Sequence, residues 1–330
     1  MDSETRCAKK GKILMRNIVL IGVGSMGKHH LQALLKLKNE FNIYALEINE
    51  ETLQKLKDEF PCGVFFVNKL IELPTEIKLA IIATSSNERR SVFEQLLVHS
   101  EVENILFEKV LFQKEKDYYF VEKKLRDKKI NAWVNCARRE WEIYHEIKRK
   151  VEKCKYMIFT AIGGQWGLGC NGIHMLDLIQ FLVNGGRCDI SISGLDDRIV
   201  ESKRKGFYEI FGTISGSCGK CRSFQLSCID DTNLPFSIEI STDIFRIRID
   251  ELQQKKYISE KKNNWEWEQR KFELPYQSQL TNRVAKSIIE RGTCSLTDYD
   301  TSMQLHLDYI LPLMNFFTRQ GMEKELCPIT

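Results

Sequence analysis

Asn17-Ile18-Val19-Leu20-Ile21-Gly22-Val23-Gly24-Ser25-Met26-Gly27 limits what this chain can fold into more than any other stretch. A run of strand-forming apolar residues passes through three glycines, spaced G-x-G-x-x-G, into a helical pattern with leucines at 31, 34, 35 and 37. Strand, tight turn and helix start in that order are what a dinucleotide-binding βαβ unit requires. Gly22 lets the chain reverse, Gly24 keeps side-chain atoms away from a pyrophosphate, and Gly27 lets the helix lie close on the strand. Ser25 and Met26 fall at the helix start, where unpaired amides and the positive dipole end face an anion. The helix itself is expected over 29–39, with His29 and His30 as helix-start residues that at most brush the phosphates. A second strand at 42–46 ends in Glu47, about twenty residues beyond the last glycine, where a carboxylate accepts hydrogen bonds from ribose hydroxyls and repels a 2′-phosphate. NAD is therefore favoured over NADP.

At 330 residues the chain suits two domains rather than one core. Its 43% hydrophobic and 28% charged residues exclude the disordered class. The formal charge of +4, from 49 basic and 45 acidic residues spread along the chain, is too balanced to argue for nucleic acid. No apolar run approaches the length of a bilayer span, and the first fifteen residues lack the apolar core of a signal peptide, so a cytoplasmic protein is expected. The eleven cysteines are scattered, which favours reduced thiols over a disulfide framework. Cys218-Gly219-Lys220-Cys221 lacks the second ligand pair a metal site needs, since only Cys228 follows, and residues Gly216 to Gly219 read as a hairpin turn between two strand patterns; no metal is expected.

Strands at 64–67, 78–83, 104–110 and 130–135 alternate with helices at 51–60 and 114–128, the signature of a parallel, doubly wound sheet. The carboxyl ends of such strands face the ligand crevice, which places Ala83, Thr84 and Asn87 beside the nicotinamide half of a cofactor and brings Glu108, Lys109 and Arg138 to the same edge. Beyond a helix near 140–150, a strand at 155–162 and a helix at 171–182, two-residue alternation recurs at 206–214, 223–228, 236–241, 245–250 and 255–259, indicating an antiparallel sheet. Helices at 280–291 and 301–317 close the chain. The expected organisation is a polar extension at 1–15, a Rossmann domain at 16–136 and an α+β domain at 137–330 built on an open antiparallel sheet. Between them, residues 163–172 hold five glycines and read as a backbone-rich wall for a polar ligand, with Trp166 either stacking on a sugar ring or anchoring the loop.

The glycine turn with its terminal acid, the Glu108-Lys109 strand end, the Asn135-x-x-Arg138 strand end and Gly172-Ile173-His174-Met175-Leu176-Asp177 together resemble the glucose-fructose oxidoreductase, inositol dehydrogenase and MocA (Gfo/Idh/MocA) family. The resemblance runs from Ile18 to about Phe317. It implies an NAD(P)-dependent oxidoreductase that moves hydride to or from a secondary hydroxyl of a sugar, cyclitol or nucleotide sugar, and a homodimer or homotetramer through the open sheet. It implies Lys109 as the lysine that contacts substrate and cofactor, and His174 as general acid or base. Imidazole titrates near neutral pH and a nearby ammonium stabilises developing negative charge on the oxygen. Asp177, one turn from His174 on the expected helix, is placed to orient that ring. Trp166, Cys170, Asn171, His174 and Asp177 are the substrate-side candidates.

Two positions depart from the family's pattern. Proline, often behind a cis peptide, is replaced by Val110, for which a cis bond costs about 3 kcal/mol. An aspartate four residues before the histidine is replaced by Cys170. These departures keep two other readings open: a cofactor-binding sensor or partner protein without turnover, and an NAD-retaining hydrolase or lyase.

Overall fold

The computed structural model describes residues 15–230 and 232–330; the expected extension at 1–15 lies outside them except for Met15. β1 (Arg16–Ile21) enters the molecule with its last four residues buried. The chain then alternates through α1 (Ser25–Leu34), β2 (Phe41–Leu46), α2 (Glu50–Glu59), β3 (Phe65–Val67), a two-residue β4 (Glu76–Ile77), β5 (Leu79–Ile82), α3 (Ser86–His99), β6 (Glu101–Val102), β7 (Asn104–Phe107), α4 (Glu115–Lys128) and β8 (Asn131–Val134). The central strands pair in the order β3-β2-β1-β5-β7-β8, all parallel, while β4 and β6 form a separate ladder. All four residues of β5 and of β7 are buried, as strands covered by helices on both faces must be. The first helix begins at Ser25, earlier than expected, because Gly24 serves as its cap and accepts the first helical bond from Lys28.

After α5 (Glu142–Val151) the second sheet is laid down by β9 (Met157–Gly164), then α6 (Leu168–Leu182), β10 (Cys188–Glu201), β11 (Tyr208–Cys218), β12 (Cys221–Ile229), β13 (Ser237–Thr242), β14 (Phe245–Asp250), β15 (Lys255–Glu260) and β16 (Trp267–Lys271). Its order is β10-β11-β12-β9-β13-β14-β15-β16, antiparallel except where β12 runs parallel to β9. β9 alternates buried and open residues, so α6 covers one face and the other stays open, with Ile158 and Ile162 on it. Two strands of this sheet were not expected from the sequence. β10 carries register shifts between Ser191 and Gly194 and between Leu195 and Ile199 that break its alternation, and every residue of β16 is exposed.

Two tertiary features correct expectations. Cys188 and Cys218 lie opposite each other on β10 and β11 with Cα atoms 4.2 Å apart and form a disulfide, so the thiols are not all reduced. The register that brings them together depends on strand pairing, which cysteine spacing does not report. The expected hairpin is present, but β11 runs on to Cys218, so its turn falls at Gly219-Lys220 rather than over 216–219. Second, the chain returns to the first domain. α7 (Gln277–Arg291) packs Val284, Ala285 and Ile288 into the cluster formed by Ile18, Leu20, Leu31 and Leu34, and β17 (Thr297–Asp298) adds an antiparallel strand beside β8. Burial of Val284 and of Ile288 contributes about 1.5–3 kcal/mol each, which helps to hold the segment there. A single cut at residue 136 therefore misses part of the Rossmann layer. α8 (Tyr299–Arg319) is the last helix among the described residues, with Tyr309 donating to the Leu168 carbonyl at 2.6 Å. No helix among the described residues is long and apolar enough to cross a membrane.

Candidate active site

A cavity of about 650 Å³ opens at the carboxyl ends of β5 and β7, against the first turn of α1, and is walled on the far side by the start of α6 and by β10 and β11. Met26, Ala83, Thr84, Glu108 and Lys109 line it from the first domain. In a doubly wound sheet this is the crevice at the topological switch point, where ligands bind.

The glycine turn fits a dinucleotide. Gly22 holds φ +86°, a conformation costly for side chains, and a Cβ there would lie 3.0 Å from Thr84. A Cβ on Gly27 would overlap the Gly22 carbonyl oxygen, so α1 can approach β1 only with glycine there. At Gly24 an added Cβ would meet nothing within 4 Å, which leaves the helix start open for a pyrophosphate. No side chain caps α1, and Ser25 and Met26 are exposed at its start. Glu47 spans the top of β1 and β2: its Oε2 accepts the Val23 amide at 3.0 Å and its Oε1 accepts the Asn49 amide at 3.0 Å. Each oxygen keeps a lone pair for a ribose hydroxyl.

His30 does not face the phosphates. It is fully buried, with Nδ1 2.8 Å from Thr281 Oγ1 and Nε2 2.9 Å from Glu108 Oε1, tying α1 and α7 to the end of β7. Asn135 donates to the same Glu108 oxygen. Burial opposes ionisation of Glu108, yet the hydrogen bond and charge of His30, with Asn135 and Lys109, hold its pKa below 4.5.

Next to it, Lys109 crosses between domains: its Nζ donates to the Cys170 carbonyl at 3.1 Å and lies 3.5 Å from Asn171 Oδ1. The Lys109–Val110 peptide is cis, the form that the resemblance associates with proline at this place. Arg89, which nothing in its helical surroundings marks in the sequence, is fully buried and donates to the carbonyls of Thr84, Val110 and Leu111, bracing both strand ends. Burial lowers its pKa to about 10, and Glu108 partly opposes this.

Several expected site residues lie elsewhere. Arg138 turns away from the cavity into a bidentate pair with Glu251, at 2.8 and 2.6 Å, joined by Tyr144. Although burial disfavours its charge, Glu251 holds its pKa above the ordinary value. Asp177 does not orient His174. It accepts from Arg139 Nε at 2.8 Å and from Thr297, so the buried carboxylate ties α6 to β17. Asn87 is exposed and donates to Glu88 at 3.2 Å.

Residues 163–172 form less of an open wall than expected, because β9 continues to Gly164 and α6 begins at Leu168. Trp166 lines the cavity and also anchors the loop, donating to the Ser227 carbonyl at 2.8 Å and packing on Phe236. Asn171 braces this turn through the Trp166 carbonyl at 2.8 Å. Burial pushes the Cys170 thiol up to about 12, with Lys109 opposing and Glu209 reinforcing the shift. One helical turn further, His174 is half-buried, and its Nδ1 is enclosed without a hydrogen-bond partner. Desolvation first, then the charges of Lys109 and Arg138, hold its pKa well below 6.5, so the imidazole is neutral at pH 7.

Residues 16–119 match the family described as "Oxidoreductase family, NAD-binding Rossmann fold". No curated protein matches the chain. Among solved structures, a dehydrogenase (MviM) from Clostridium difficile is similar at 16% identity and a TM-score of 0.70, covering 92% of this chain and 99% of that one. The UDP-N-acetylglucosamine 3-dehydrogenase GnnA from Acidithiobacillus ferrooxidans is similar at 14% identity and a TM-score of 0.70, with coverages of 91% and 97%. A super-repressor mutant of Gal80p from Saccharomyces cerevisiae is similar at 14% identity and a TM-score of 0.69, with coverages of 91% and 96%. At these identities the likenesses establish the fold. Residues 16–119 thus match the oxidoreductase family with the NAD-binding Rossmann fold, and the described chain shares the two-domain fold of these solved structures.

Proposed function

We propose that this protein is an NAD-dependent oxidoreductase acting on a secondary hydroxyl of a sugar, cyclitol or nucleotide sugar. The observation that carries this reading is Lys109: its ammonium stands at the strand-end crevice, inside a cavity shared by both domains, and its hydrogen bonds go to a carbonyl and an amide oxygen rather than to a carboxylate. When bound, the dinucleotide supplies the hydride acceptor or donor. Gly22, Gly24 and Gly27 with the α1 amides would hold its pyrophosphate, Glu47 its adenosine ribose, and Met26, Ala83 and Thr84 would border the remainder. Lys109 then stabilises negative charge that develops on the substrate oxygen. The resemblance gives the proton to His174, which is neutral at pH 7 but stands one helical turn behind the residues that line the cavity. We propose further that two copies assemble through the open face of the second sheet, where Ile158 and Ile162 are exposed.

Calorimetry with NAD, NADH and NADP, followed by a panel of sugars and nucleotide sugars watched at the nicotinamide absorbance, tests this. NAD binding with turnover that falls at least a hundredfold in Lys109→Met supports it; unchanged turnover in that variant overturns the role of Lys109. A second reading is supported by Cys170, whose thiol is too weak an acid to move protons near pH 7, and by the likeness to Gal80p: NAD binding with no product from any substrate identifies a cofactor-binding regulator. Product without net absorbance change identifies an NAD-retaining hydrolase or lyase.

A further inference from the structure

The cavity holds several charged groups, and most are already committed. Glu108 is tied to His30 and Asn135, Glu201 accepts the Gly206 amide at 3.2 Å, and Asp230 pairs with Arg198 at 2.5 Å. The thiol of Cys170 is held in its protonated form. Glu209 differs. It projects from β11 over the loop that starts α6, where its Oε2 accepts the Gly169 amide at 2.9 Å and Cys170 also donates to the carboxylate. The other oxygen lies over Gly167, where an added Cβ would be 3.2 Å from Oε1 and 2.9 Å from Cys170 Sγ. Lys109 is the nearby cation that acts on Glu209 from β7, and Cys170 the nearby thiol from α6. A carboxylate in the wall of the cavity that Lys109 also lines, with a thiol as neighbour, is arranged for proton transfer.

We propose that Glu209 is a catalytic residue of this cavity, its Oε1 accepting the proton of the substrate hydroxyl beside Lys109. The proposal rests on the function set out above. In the oxidising direction the O–H bond breaks with its proton passing to Glu209 Oε1, the carbinol hydrogen leaves as hydride to the oxidised dinucleotide, and the electron pair left on oxygen closes the carbonyl. Lys109 compensates the negative charge on that oxygen as the proton departs. His174 stands outside the residues that line the cavity, one helical turn behind Cys170, so the acceptor that touches substrate is the one on β11. Burial raises the pKa of Glu209 above 4.5, against the hydrogen bonds from Cys170 and Gly169, which brings it closer to working pH.

Glu209→Gln tests this with little disturbance, because the amide oxygen can still accept from Gly169 while the charge and the basicity disappear. In an enzyme with wild-type NAD affinity by calorimetry, kcat falls by about 10²–10³-fold and the acidic limb of the kcat/KM profile vanishes. Glu209→Asp, which retains the carboxylate, recovers part of the rate and the limb. A readout without cofactor accompanies these: peptide-resolved iodoacetamide labelling of Cys170 becomes about tenfold faster near pH 9 in Glu209→Gln, since a thiol pKa lowered by about one unit gives ten times the thiolate. Unchanged kcat and an unchanged acidic limb in Glu209→Gln, with His174→Asn alone abolishing turnover, overturn the proposal and leave the oxidoreductase reading standing. A wild-type protein with no affinity for any nicotinamide dinucleotide overturns both.

Discussion

Replacing Gly24 and Gly27 separately by alanine asks the two glycines for different answers from one added methyl group. At Gly27 the methyl would overlap the Gly22 carbonyl oxygen and sit 3.0 Å from its carbon, and both atoms are backbone that cannot swing aside. Relief requires α1 to move away from β1 by about an ångström or more, loosening contacts of Leu31 and Leu34 with the cluster of Ile18 and Leu20. Overpacking of this kind costs about 1–3 kcal/mol, partly offset by alanine's better helix propensity of up to about 1 kcal/mol. At Gly24, with nothing within 4 Å and an ordinary negative φ of −67°, the methyl costs the free protein almost nothing. It would, however, stand where the pyrophosphate must approach, and a loss of about 1.4 kcal/mol there is tenfold in Kd. Differential scanning calorimetry and NAD titration of both variants check the contrast. Gly24→Ala should melt like wild type and bind NAD at least tenfold more weakly, whereas Gly27→Ala should lose several degrees in Tm as well as affinity. Wild-type affinity in Gly24→Ala, or wild-type melting and affinity in Gly27→Ala, would refute the assignment of the turn.

Glu47→Ser removes the carboxylate that opposes a 2′-phosphate; NAD affinity should fall and the NADP-to-NAD affinity ratio rise at least tenfold by calorimetry. His306 is buried with Nδ1 bound to the Ser302 carbonyl at 2.8 Å, and burial takes its pKa from 6.5 to about 3. His174 is shifted the same way. Because these folded-state values lie below the unfolded one, the unfolded chain binds more protons below pH 6.5, so the stability they contribute is present above that pH and is lost as pH falls towards about 3. His306 alone accounts for about 1.4 kcal/mol per pH unit inside that window, which urea titrations at descending pH should show and His306→Gln should flatten. Arg139→Ala strands the Asp177 carboxylate, which is 1% exposed, and should cost about 3–5 kcal/mol. Adding Asp177→Asn should recover part of that loss in chemical denaturation, since the uncompensated charge is gone.

The glycine turn, the alternation of buried strands with amphipathic helices and the change to two-residue alternation beyond residue 200 could be read along the chain, because each is a local pattern set by backbone geometry and the periodicity of burial. Lys109 was legible for the same reason: its strand ends where the crevice must lie. What could not be read are relations between residues distant in sequence. Arg138 meets Glu251 across 113 positions, His30 meets Thr281 across 251, and Cys188 reaches Cys218 only through strand register. No periodicity distinguishes Arg89 from a solvated helical arginine or Glu209 from any outward residue of a strand. Arg89 is marked only by the strand-end carbonyls it meets in the fold, and Glu209 only by the start of α6 beneath it. The sequence alone therefore determined the nucleotide-binding frame, since that frame is written in consecutive residues, and the tertiary structure decided which polar groups face the cavity and which are spent holding the domains together, since that depends on contacts made across the fold.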